Sequence, residues 1–109
     1  MSKATEDAIL SIPGLTAEAR VVRDHWGIPH LRAGNEADAF LANGWIHAQD
    51  RLWQMDAARR RAVGRFAEWA GPSAAPLDVL SRKLGVEAVS RRDHAALSPR
   101  AAAMCARYA

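Results

Sequence analysis

The chain has 109 residues, half of them hydrophobic and a quarter charged, a globular balance that excludes an intrinsically disordered protein. Its formal charge of +3 comes from 15 basic and 12 acidic residues interspersed along the sequence, which reads as a mixed solvated surface and not a nucleic-acid-binding face. The single cysteine, Cys105, excludes an internal disulfide, and no apolar run approaches the roughly 20 residues of a membrane span.

Residues 1–18 read as a polar lead-in with a turn at Pro13-Gly14. Its first residues carry no sustained apolar core, so they do not read as a secretory signal, and the default expectation is a cytoplasmic start. Residues 19–24, centred on Val21-Val22, read as a strand, and residues 28–33 as its return partner across the turn Asp24-His25-Trp26-Gly27. Pro29 lacks an amide donor, so the return strand is expected to pair on one side only. A hairpin of this size needs a surface to dock on.

Asn35 is the expected N-cap of a long helix over residues 36–70, with Asp38 as a weaker capping-box partner and Gly44 or Gly64 as points of bending. Leu41, Trp45, Ala48, Leu52, Met55, Ala62, Phe66 and Ala70 form one stripe at helical spacing. Ile46 and Trp53 fall on nearly the opposite side. Two apolar faces imply a helix sandwiched between two partners, the second of them outside this chain. Gly71-Pro72 stops that helix. Residues 77–84 and 86–92 read as short helices, and Ser98-Pro99 opens a last one over 101–109, which has no cap or glycine at its end.

The polar edge of the long helix carries His47, Asp50, Arg51 and Gln54, in which His47 and Arg51, and Asp50 and Gln54, stand one turn apart, within reach of each other. Asp50 is badly placed to orient His47 as a triad carboxylate does, and no nucleophile accompanies them, so these residues read as a structural network and not a catalytic one. Asp24, His25 and His30 surround the hairpin turn, but their spacing fits no usual zinc signature. Asp24 reads instead as an acceptor for turn amides. Arg59, Arg60, Arg61 and Arg65 spread around the helix with Asp56 and Glu68 among them, which favours ion pairing over phosphate binding. Arg59 falls on the apolar stripe and has to be paired if buried. The expected structural polar network is therefore Asp24, His30, His47, Asp50, Arg51, Gln54, Asp56, Arg59, Arg65 and Glu68.

Several of these elements, in this order and spacing, resemble the opening of the A chain of the penicillin acylase (penicillin amidase) family of N-terminal-nucleophile hydrolases. The residues that carry the resemblance are Arg23-Asp24 followed by Gly27-Ile28-Pro29-His30, then Gly44-Trp45-Ile46-His47-Ala48-Gln49-Asp50-Arg51-Leu52, with tryptophan where the family commonly has tyrosine. Gln54-Met55-Asp56, Arg59-Arg60, Gly64-Arg65-Phe66-Ala67-Glu68 and then Asp78, Arg82, Leu84 and Gly85 continue it, so that residues 13–109 are covered.

The resemblance implies an α+β chain: an N-terminal hairpin followed mostly by helices, forming part of an αββα sandwich built from a precursor that cuts itself into A and B chains. The N-terminal serine of the B chain attacks an amide carbonyl with its own amine as base, and the oxyanion hole also lies in the B chain. Substrates of the family include penicillins, cephalosporin side-chain amides and acyl-homoserine lactones. Relatives bind calcium through a later A-chain glutamate and B-chain carboxylates, and many are exported. None of those positions falls in this sequence, so no catalytic residue, cofactor ligand or metal ligand is carried over. Ser2, the one serine that removal of Met1 would expose, is followed by Lys3-Ala4-Thr5 and not by the asparagine of the family's catalytic start. The expectation is a scaffold segment, truncated at its C-terminus and inactive alone, whose partners are the remainder of the A chain, the B chain and a small-molecule amide. The alternatives are a stand-alone helical binding module or a small basic nucleic-acid-binding domain.

Overall fold

The structure, a computed structural model, describes residues 8–109; Ser2 lies outside them. Strands β1 (Ala19–Arg23) and β2 (Pro29–Ala33) pair antiparallel, with Ala19 opposite Ala33 and Arg23 opposite Pro29. Along β2 the half-buried Pro29, Leu31 and Ala33 alternate with exposed His30 and Arg32, and the strand packs on the long helix α1 (Glu36–Ala62). This is the period-two pattern of a sheet with one covered face. A four-residue helix α2 (Ala67–Ala70) and a single 3-10 turn (Pro72–Ala74) follow, then α3 (Ala75–Lys83), α4 (Val86–Ala95) and α5 (Pro99–Tyr108).

Helix α1 starts as its sequence dictates: Asn35 is extended, and its side-chain oxygen accepts from the Asp38 amide at 2.8 Å. It ends eight residues earlier than the expected 36–70, because Gly64 adopts φ +68°, a left-handed conformation that terminates the helical path. Helix α1 also bends at Arg51 (φ −143°, ψ 26°), which contains neither glycine nor proline. Gly44, where a bend was expected, instead receives the backbone of Tyr108 from α5 so closely that a side chain would collide with it. The last three helices begin slightly earlier or run slightly longer than the sequence patterns suggest, and Ser98 caps α5 through the Ala101 amide.

The core is thin. Among the described residues the buried apolar ones are Ala42, Ile46, Ala57 and Ala74, three of them alanines. Of the two faces expected on α1, the one carrying Ile46 is the buried one within this chain. Leu52 on the longer stripe and Trp53 on the other side are each 63% exposed. The radius of gyration is 17.8 Å, with extents of 49 × 40 × 21 Å, against about 13 Å for a compact domain of this length.

Candidate functional site

Four polar knots tie the elements together, and each is built around a carboxylate. At the hairpin turn, Asp24 Oδ1 accepts from the amides of Trp26 (2.9 Å) and Ile28 (3.0 Å), while Oδ2 lies 3.0 Å from His30 Nε2. The hydrogen bond from His30, with the two turn amides, holds the Asp24 carboxyl below its usual range. Next to it, Arg23 makes a bidentate fork to Asp50 at 2.9 and 2.7 Å, reaches Gln49 at 3.1 Å and donates to the Gly27 carbonyl at 3.1 Å. One guanidinium thus fixes the end of β1, the turn and α1 just before its bend.

The second knot is Asp38, whose side chain is fully buried. It accepts from the Thr16 amide (3.0 Å), the Thr16 hydroxyl (2.7 Å), the Ala17 amide (2.9 Å), Asn35 Nδ2 (2.7 Å) and Arg107 Nη2 (3.0 Å). Bonding to Thr16 first, then to Asn35 and Ala17, lowers its pKa to about 2. The expected capping-box role of Asp38 is therefore replaced by a longer-range one: it fastens the residues before β1 and helix α5 to the start of α1.

The third knot runs along the end of α1. Asp56 is bracketed by Arg59 (2.6 Å) and Arg60 (2.9 Å), and Glu68 by Arg60 (2.8 Å) and Arg65 (2.7 Å). The hydrogen bond from Arg60 and then that from Arg59 lower the Asp56 pKa, and Arg65 chiefly lowers that of Glu68. Arg60 also lies over the Trp69 ring, whose centroid is 6.3 Å from that of Trp53. Arg59, although on the apolar stripe, is exposed, and it pairs with Asp56.

The fourth knot explains where α1 stops. Asp78 on α3 accepts from the amides of Phe66 (3.0 Å) and Ala67 (2.7 Å), and Arg82 donates to the Gly64 carbonyl at 2.9 Å. The new helix α2 is thus capped from a residue twelve positions away, because Phe66 at its own N-cap has no side-chain acceptor.

Two contacts that helical spacing allows within α1, His47 with Arg51 and Asp50 with Gln54, do not form. His47 bonds Tyr108 Oη at 2.7 Å, Asp50 bonds Arg23, and Arg51 bonds Gln54 at 2.9 Å. Arg23, Asp38, Arg60, Asp78, Arg82 and Arg107 belong to these knots and are absent from the candidate network, as is Tyr108, the partner of His47. Arg23, Asp78 and Arg82 were visible only as parts of the motifs that carry the resemblance, and Asp38 only as a capping-box partner. Every lowered carboxylate moves away from the near-neutral pKa that general acid–base catalysis uses. Among the described residues no three His, Cys, Asp or Glu side chains come together as a metal's ligands.

A hairpin laid on a long bent helix, followed by short helices, is the α+β arrangement of part of an N-terminal-nucleophile hydrolase. It superposes on the thermostable penicillin G acylase from Alcaligenes faecalis with a TM-score of 0.72 and 35% identity, covering 84% of this chain and 49% of that one. The penicillin amidase family model matches residues 18–109. The penicillin acylase 2 proenzyme of Pseudomonas sp. (strain SE83) is 58% identical over 99 residues, 91% of this chain and 13% of that protein. The acyl-homoserine lactone acylase QuiP of Pseudomonas aeruginosa is 36% identical over 89 residues, 82% of this chain and 10% of that protein. The chain belongs to the penicillin amidase family. It spans 10% to 13% of the length of these two relatives.

Proposed function

We propose that this chain is the N-terminal scaffold portion of a penicillin acylase-type amidohydrolase and is inactive by itself. The complete enzyme hydrolyses a linear amide, the acyl side chain of a β-lactam or of an acyl-homoserine lactone. A serine at the N-terminus of a B chain attacks the carbonyl, its own amine takes the hydroxyl proton and passes it to the leaving amine, and water then releases the acid. The four carboxylate knots serve to hold hairpin, helices and lead-in in fixed relation. The partners are the rest of the A chain and the B chain.

The observation that carries the scaffold reading is the open shape, with a radius of gyration of 17.8 Å. A chain that leaves Trp26, Trp53 and Trp69 exposed while its polar knots are satisfied is built to be covered. The test is a chimera in which this chain replaces the matching 99 residues of the Pseudomonas SE83 proenzyme. The chimera is expected to cut itself into two chains and hydrolyse acyl amides, while the 109-residue chain alone does neither. Amide hydrolysis by the chain alone, or a soluble chimera that never matures, would overturn the proposal.

A further inference from the structure

One face of the hairpin packs on α1, and the other carries a rung of like charges. The register sets Arg20 of β1 directly opposite Arg32 of β2. Both are exposed, on the side away from the half-buried Pro29, Leu31 and Ala33. Directly opposed side chains have Cβ atoms about 5 Å apart, and like charges at that spacing destabilise the strand pair. Every other arginine of the chain meets a carboxylate, a carbonyl or amide oxygen, or an aromatic ring. Among the described residues, Arg20 and Arg32 alone meet none.

The carboxylates closest in sequence do not answer this rung. Asp24 is taken by His30 and two turn amides, Glu36 is held by Arg100, and exposed Glu18, just before β1, pairs with neither arginine. The adjoining rung is Val22 opposite His30. Within the two strands Val22 is the one apolar side chain on this face, too little surface for insertion into a membrane. Two guanidinium forks on opposed strands reach a single ion above the rung, one from each side. An anion with several oxygens takes a bidentate bond from each fork. A single carboxylate neutralises one of the two cations, whereas a phosphate group, with close to two negative charges at about pH 7, neutralises both.

We infer that Arg20 and Arg32 form a binding site for a doubly charged phosphate group, free or as the monoester of a small molecule. The bound dianion converts the repulsive rung into two charge-assisted forks and so ties β1 to β2 through their side chains. The site needs no other part of the precursor, so its test runs on the chain alone.

The 109-residue chain is titrated with sodium phosphate, with sodium chloride lowered in step to hold the ionic strength constant, and followed by NMR. The amides of β1 and β2 and the Nε–H signals of Arg20 and Arg32 are expected to shift along a saturating curve. Arg20→Gln and Arg32→Gln should each weaken binding by about tenfold or more. Without phosphate, each should leave the melting midpoint unchanged or higher, because it removes the repulsion across the rung. Glu18→Gln, which deletes a nearby negative charge, should tighten binding, and acetate should bind more weakly than phosphate. The absence of a saturating response, whether the hairpin is unformed or anions do not gather there, overturns the inference. So do glutamine variants that bind phosphate like the wild type, or acetate that binds as tightly as phosphate. Binding to phosphatidic acid vesicles without binding to inorganic phosphate would make the face a membrane contact and overturn the assignment to a small ligand.

Discussion

Replacing Asp78 by alanine removes the acceptor for two amides at once, those of Phe66 and Ala67 at 3.0 and 2.7 Å. Asp78 is buried, at 7% exposure, so water does not take its place freely. An N-cap acceptor contributes about 0.5–2 kcal/mol, and a buried donor left without a partner costs about 1–3 kcal/mol. With one of the two amides reached by solvent after local relaxation, the expected loss is about 2 kcal/mol. For a domain of this length that lowers the melting midpoint by about 10 °C. Asp78→Asn retains one accepting oxygen but points an amide N–H at the other donor, so it should fall between wild type and alanine. Circular dichroism melts give the global figure, and hydrogen exchange at Phe66 and Ala67 gives the local one. An alanine variant that melts within about 2 °C of wild type, with both amides still protected, would refute the idea that α2 is capped from α3.

Four further outcomes follow from the same geometry. Asp38 has a folded pKa of about 2, lowered from 3.8, so its ionised form favours the fold. That contribution is complete above about pH 4 and disappears as the pH falls toward 2. Asp24, Asp56 and Glu68, lowered in the same direction, add to this acid limb. An acid titration followed by circular dichroism should show the loss in that window and a flatter curve for Asp38→Asn, whereas superimposable curves count against the hub. Gly64→Ala forces a side chain into φ +68° and to within 2.7 Å of the Asp78 carbonyl oxygen and Arg82 Cγ, at a cost of about 2 kcal/mol or more, measurable by thermal melting. Gly44→Ala drives a methyl group into the backbone of Tyr108, and should cost about 1–3 kcal/mol with exchange rising selectively in α5; unchanged α5 protection would contradict the close helix packing. Arg23→Ala opens the fork to Asp50, whose partners are each about one-third exposed, and costs about 1 kcal/mol, with faster amide exchange in the hairpin as its signature.

The local signals in this sequence were readable and the distant ones were not. The hairpin, its Asp24 turn and the Asn35 cap rest on contacts spanning a few residues, so the spacing of Asp24, Gly27, Pro29 and Asn35 carries them. The termination of α1 combines Gly64, which the sequence offers as a point of bending, with Asp78 and Arg82 arriving from another helix, which nothing between residues 62 and 70 announces. The choice of partner for Asp50 has the same origin. Within a helix, Asp50 and Gln54 are neighbours, but an arginine from β1 offers Asp50 two parallel charge-assisted bonds, at 2.9 and 2.7 Å. A bidentate fork outcompetes a single intrahelical contact. Asp38 lost its capping-box role in the same way, to five donors gathered from three parts of the chain.

The motifs that carried the family resemblance can now be given physical content. Arg23 and Asp24, the GIPH turn, and the HAQDR run are not separate signatures. Arg23 joins the first to the third through Asp50 and Gln49, and Asp24 joins the first to the second through Ile28 and His30. Likewise Gly64, Asp78 and Arg82 are one junction that appears in the sequence as two motifs. Arg23 with Asp50, and Asp78 and Arg82 with the Gly64–Ala67 corner, thus join motifs that stand apart in the sequence. A helix that has to carry apolar surface on two sides cannot rely on a core of four buried residues to hold its angle. The polar knots hold that angle instead, which is why they are concentrated where hairpin, lead-in and helix ends converge. On this argument, exchanging both members of a knot together, as in Arg23→Asp with Asp50→Arg, should recover part of the hairpin protection lost by either change alone. Thermal melts and amide exchange on the two single variants and the double variant give the coupling directly, and a double variant no better than the worse single one would mean that the residues act independently.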